Sequence, residues 1–112
     1  MKSRKLKNMK KGWFVGDFAR AAYRSKAFEV ALKTEKAGQR VKKHTHKVAT
    51  EITLVVKGKV RFNNRQFKKG DIIIINPKEA ADYEVLEDAI TVIIKVPSVM
   101  HDKYYSKLIG RR

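Results

Sequence analysis

Cysteine is absent from this 112-residue chain. That excludes disulfide bridges, thiolate zinc sites and cysteine nucleophiles. Acidic residues are scarce: 11 Asp and Glu stand against 27 Lys and Arg, a formal net charge of +16. Proline occurs twice and tryptophan once. Long apolar runs are also missing. A bilayer span needs roughly 20 apolar residues, and the run Ile72-Ile73-Ile74-Ile75 falls far short of it. The basic start, residues 1–11, lacks the apolar core of a signal peptide. The expectation is a cytoplasmic protein with no membrane partner. No serine sits in a nucleophile elbow, and no Gly-rich loop is placed to cradle a phosphate. Nothing reads as a helix-turn-helix, an RNP motif or a zinc finger.

The length suits one domain with a single core. Much of what is present has a period of two. Phe28, Val30 and Leu32 alternate with Glu29, Ala31 and Lys33, the pattern of a half-buried strand. Residues 41–47 and 51–57 read as two further strands, with Gly38 and Gly58 marking bends. Residues 60–67 read as a hairpin about Asn63-Asn64, since asparagine tolerates the left-handed conformation of tight turns. Ile72 to Ile75 form a continuous β-branched run, expected to be buried on both faces. Residues 83–87 and 90–96 read as two strands separated by a turn at Glu87-Asp88. One helical turn could lie in 19–24, and a short helix or strand in 101–109. Short strands at regular spacing argue for an antiparallel sandwich or barrel.

Two histidines and a carboxylate carry the chemistry. His44 and His46 are two apart on an expected strand, so their imidazoles share a face. Glu51 follows five residues later, where a small turn brings its carboxylate to the same point. Two imidazoles and a carboxylate suit a borderline divalent metal: Mn(II), Fe(II), Zn(II) or Ni(II). Alternatively, the histidines are polar residues lining a pocket, satisfied by Glu51 and water. Tyr83, Tyr104 and Tyr105 read as packing at strand edges, and Trp13 as core or interface.

The spacing from Gly38 through His44, His46 and Glu51 to Gly58 resembles the first motif of the cupin family, G-x5-H-x-H-x(3,4)-E-x6-G. The resemblance covers about residues 28–96 and implies an all-β fold, the double-stranded β-helix or antiparallel jelly-roll barrel. The second cupin motif, G-x5-P-x-G-x2-H-x3-N, is half present: Gly70 and Pro77 match with one extra residue between them. Glu79 stands at its glycine, Leu86 at its asparagine and Asp82 at its third histidine. The resemblance therefore implies a metal held by His44, His46 and Glu51, with Asp82 in place of the missing imidazole; alternatively, Asp82 is a surface residue in a turn and the site is weak or empty. Residues 19–100 are expected to form the barrel, with 1–18 a basic arm and aromatic tether and 101–112 a tail.

The resemblance leaves several functions open. One is a metal-binding cupin that acts on or binds a small molecule, anionic or sugar- or nucleotide-like. Another is a metal-free sugar-nucleotide epimerase or isomerase with histidine as base and tyrosine as acid. A third is a non-catalytic ligand-binding or sensor module. Trp13, Phe14, Val15 and Phe18 are expected to seal a homodimer. Lys57, Lys59 and Arg61 alternate on a strand and, with Arg65, are expected to form an outward basic stripe. With no pattern for base readout, a specific nucleic-acid partner is not expected.

Overall fold

Among the described residues the chain forms nine strands. They are β1 (Trp13–Gly16), β2 (Tyr23–Arg24), β3 (Glu29–Glu35), β4 (Arg40–His46), β5 (Thr50–Phe62), β6 (Arg65–Lys68), β7 (Ile72–Ile75), β8 (Ala81–Val96) and β9 (Lys103–Tyr105). The structure, a computed structural model, describes residues 1–105. The expectations for 106–112 lie outside the described residues. Two short 3-10 turns, Leu6–Asn8 and Lys10–Gly12, precede β1 in the basic arm. Among the described residues no helix is long and apolar enough to cross a membrane.

Two long strands, β5 and β8, run antiparallel along most of their length and belong to both halves of the fold. The second half of β8 pairs with β3 on one side and the first half of β5 on the other. Its first half pairs with β4 and with the second half of β5. Strands β1 and β2 extend the first half beyond β3, and β7 borders it on β5. Strands β9 and β6 border the second half. The sheet does not close on itself. Its two halves bury a shared cluster of Val55, Val60, Phe62, Ile73, Ala81, Val85 and Ala89.

The halves meet at Gly58. Its φ is +85°, and a Cβ there would lie 2.2 Å from the Asp88 carbonyl oxygen. Only a glycine fits this close approach. The β5–β8 register shifts repeatedly between Val55 and Val60. Such bulges let a long pair bend from one sheet into the other. This local bend keeps β8 unbroken through Glu87 and Asp88, where a turn was expected. The irregularity falls on β5 instead.

Three other expectations change. Among the described residues strand β7 pairs only with β5, and it is buried on one face: Ile73 is 9% exposed, Ile72 63% and Ile74 59%. The β-branched run signals a strand but not cover on both faces. Residues 19–24 make bends and turns leading into β2 rather than a helical turn. Segment 12–18 is built into the sheet through β1, where Trp13 pairs with Ala31 and Val15 with Val30. The Asn63-Asn64 hairpin is present, with Asn63 at φ +53°.

Lys59 and Arg61 do face outward, because Val60 and Phe62 between and beyond them are buried. Carboxylates across the ladder meet them. Arg61 lies 3.0 Å from Asp82 and 3.1 Å from Glu84, and Lys59 lies 3.5 Å from Glu87. This part of the stripe is neutralised on the strand next to it.

Candidate functional site

Between the two halves lies a cavity of about 810 Å³, lined by residues of six strands, β1, β3, β4, β5, β8 and β9, and of the basic arm. The inner face of each strand follows from the register. On β5, Glu51, Thr53 and Val55 alternate inward; on β8 their partners are Lys95, Ile93 and Thr91. On β3 the inner residues are Glu29, Ala31, Lys33 and Glu35.

Strand β4 supplies both histidines. Their rings stand edge to face, with centroids 5.2 Å apart. His44 Nδ1 hydrogen-bonds the Lys42 carbonyl at 2.8 Å, so in the neutral ring it donates and the lone pair is on Nε2. His46 is only 4% exposed. Its Nδ1 lies 3.9 Å from Glu51 Oε1, and its Nε2 has no hydrogen-bond partner among the described residues. Burial pushes the His46 imidazole down to about 4, and nearby Lys95 and His44 push the same way. Burial also lowers His44. Both rings are therefore neutral at ordinary pH, the form that binds a metal. Burial raises the Glu51 carboxyl, and the charge of Lys95 opposes the rise.

Asp102 holds the turn that carries the chain from His46 to Glu51. Its carboxylate is buried and accepts from the backbone amides of Lys47 at 3.1 Å, Val48 at 3.0 Å and Ala49 at 2.8 Å. The sequence reading missed this residue. It falls in a segment taken for a tail, and an aspartate that caps a distant turn leaves no local signal. The reading also passed over Lys95 and treated Trp13 as packing, although both line the cavity.

Asp82 is not part of this group. On β8 it alternates with Ala81 and Tyr83, which face the core, so its side chain leaves by the opposite face. There Asp82 accepts from Arg61 at 3.0 Å and from the Asn63 amide at 3.0 Å. The expected fourth ligand is thus a partner of Arg61 at the hairpin. Tyr83 does reach the cavity, and its hydroxyl donates to Glu35 at 2.6 Å. Burial and that bond raise the phenol well above its ordinary value.

The donor chemistry of His44, His46 and Glu51 fits a divalent metal, and His46 Nε2 is a buried nitrogen with no hydrogen-bond partner among the described residues. As they stand, no three such side chains among the described residues close into a metal-holding cluster. His46 turns Nδ1 toward Glu51, and Lys95 stands opposite Glu51 in the ladder. A metal therefore requires rotation of at least one imidazole.

No protein-family model matches the sequence, and no curated protein matches it at significance. Solved structures do match. One is an uncharacterized conserved protein with a double-stranded beta-helix domain from Klebsiella pneumoniae subsp. pneumoniae: 22% identity, TM-score 0.60, covering 66% of each chain. The match thus spans just under two thirds of that protein's length. An RmlC-like cupin protein from Desulfovibrio desulfuricans matches at 18% identity and TM-score 0.58, over 67% of this chain and 76% of that one. The pirin YhhW of Escherichia coli, in complex with nickel(II), matches at 16% identity and TM-score 0.63, over 79% of this chain and 39% of that one. At these identities the likeness is one of fold. This chain shares with these cupin structures the double-stranded β-helix fold.

Proposed function

We propose that the protein binds a small molecule in the cavity between its half-sheets, at a centre of His44, His46 and Glu51 that takes a divalent metal ion. The observation that carries this reading is the buried, unpartnered Nε2 of His46 beside Glu51. A buried imidazole nitrogen without a partner is costly, and a ligand or metal relieves that cost. A bound metal would supply Lewis acidity and open coordination positions. The chain's own residues hold the donors neutral, as burial does for the imidazoles. They also fix the loop that joins them, as Asp102 does.

The metal-free acid–base alternative is less favoured. Its acid would be a cavity tyrosine, yet Tyr83 already gives its proton to a hydrogen bond with Glu35 and is harder to ionise than a free phenol. Nickel in the pirin structure belongs to that protein and leaves the metal here open.

Titration calorimetry with Mn(II), Ni(II) and Zn(II) on the metal-free chain tests the reading, with metal content after dialysis measured by mass spectrometry. The expected result is one ion per chain, lost in the His44→Ala/His46→Ala double variant and weakened as pH falls toward about 4, where His46 takes up a proton. A wild-type chain that binds none of the three, or a double variant that keeps its ion, overturns it.

A further inference from the structure

We infer that the cavity takes the anionic group of its ligand, a carboxylate or a phosphate, on a clamp formed by Lys33 and Lys95 over the indole of Trp13. The inference rests on the small-molecule reading above and names the chemistry of that molecule.

The clamp follows from register. Trp13 of β1 is paired with Ala31 of β3, and so shares the inner face with Lys33 two residues on. Lys95 reaches the same face from β8, where it is paired with Glu29 and Glu51. The ammonium of Lys33 lies 5.3 Å from the centroid of the indole and that of Lys95 5.1 Å. Two like charges are therefore gathered about one ring, within about 10 Å of each other. Neither has a carboxylate oxygen within 4.0 Å among the described residues. The ring face compensates only weakly for this, compared with an anion. Burial and the charges of Lys11, Lys95 and Lys103 also make Lys33 easier to deprotonate, although Glu35 opposes them. An anion on the clamp would remove that stress.

The rest of the wall points the same way. Five lysines line the cavity, Lys7, Lys11, Lys33, Lys95 and Lys103, against two carboxylates, Glu35 and Glu51. Glu35 already accepts the Tyr83 hydroxyl, and burial holds the Glu51 carboxyl up. A further polar group waits on the floor: Thr53 lines the cavity, is 2% exposed, and its hydroxyl has no partner among the described residues. The volume suits a molecule of monosaccharide size or somewhat larger.

Trp13 is the only tryptophan in the chain, so its fluorescence reports directly on the clamp. The full-length protein is titrated in EDTA with gluconate, glucose 6-phosphate and glucose. The first two separate carboxylate from phosphate, and the third is the neutral control. The expected result is a saturable change with at least one anion, weakened by added salt, and no change with glucose. Lys33→Gln and Lys95→Gln should each weaken the anion at least tenfold, and Lys68→Gln, an exposed residue on β6, should not. An equal response to glucose overturns the clamp, as does no response to either anion or lysine variants that bind unchanged. The wild-type comparison of charged and neutral probes decides the matter even if a variant fails to fold. Stoichiometric metal with no anion response would retire the clamp alone. An anion response without metal binding would retire the metal centre alone.

Discussion

Beyond Gly58, strand β5 sends Lys59 and Arg61 outward, where Glu87, Asp82 and Glu84 meet them. Before Gly58 the same strand sends Glu51 inward beside Lys95, into a cavity where lysines outnumber carboxylates. The sequence makes the outward stretch look like the place of free positive charge, because its basic residues alternate so plainly. Cross-strand pairing reverses that impression. Acidic residues are few, and several are placed at the outer ladder: Asp82, Glu84 and Glu87. Exposed pairs of this kind contribute little each. Their effect is to leave Lys33 and Lys95 without a carboxylate in ion-pair range among the described residues. A basic composition locates nothing until the partner strand is known.

The comparison breaks most completely at the residue that separates the two regions. Gly58→Ala places a Cβ against the Asp88 carbonyl at a positive φ. The expected loss is about 3–4 kcal/mol of stability by urea denaturation. Stability within about 0.5 kcal/mol of wild type would mean that the bend does not depend on this contact.

Acid sharpens the contrast from the interior side. The folded-state His46 lies near 4, below its ordinary 6.5, so the unfolded chain binds the proton more readily between those values. Its contribution is present in full above about pH 6.5 and is lost as pH falls toward 4. That amounts to about 2 kcal/mol. Glu51 works in the opposite sense, since its raised carboxyl favours folding when protonated. Melting temperatures at pH 7, 5.5 and 4.5 for wild type and His46→Asn check this; the variant should show a flatter profile.

The smallest effect belongs outside. Lys59→Gln should cost at most about 0.5 kcal/mol and leave the Trp13 titration with anions unchanged. A Lys59 variant that weakened anion binding as much as Lys95→Gln would erase the distinction between the two regions.

The strands were legible because alternation is local, and so was the turn at Asn63. The β-helix arrangement and the His44-His46-Glu51 grouping followed from a motif whose glycine, Gly58, has a steric reason visible in the structure. The remainder depended on pairing between distant segments. Asp82 resembled a ligand by its position in a degenerate motif, but one step along a strand reverses the face, and Arg61 holds it there. Lys95 and Trp13 carried no pattern of their own. They become neighbours only when β1 and β8 come to flank β3 on opposite sides. Asp102 reaches the amides of residues 47–49 across more than fifty positions.

The sharing of β8 between both half-sheets also has a consequence for how the chain is made. Among the described residues, strand β3 finds partners only in β1 and β8, and β4 only in β8 and β9. As the polypeptide leaves the ribosome, β5 can pair with β6 and β7, which follow it closely. The histidine strand has nothing to pair with until residues 81–96 emerge. Contacts that close such long loops form slowly. Until then the edge of β5 that β8 will cover stays open, the kind of surface that draws other chains. Synthesis thus has a vulnerable interval, which ends when one strand arrives and completes both sheets at once.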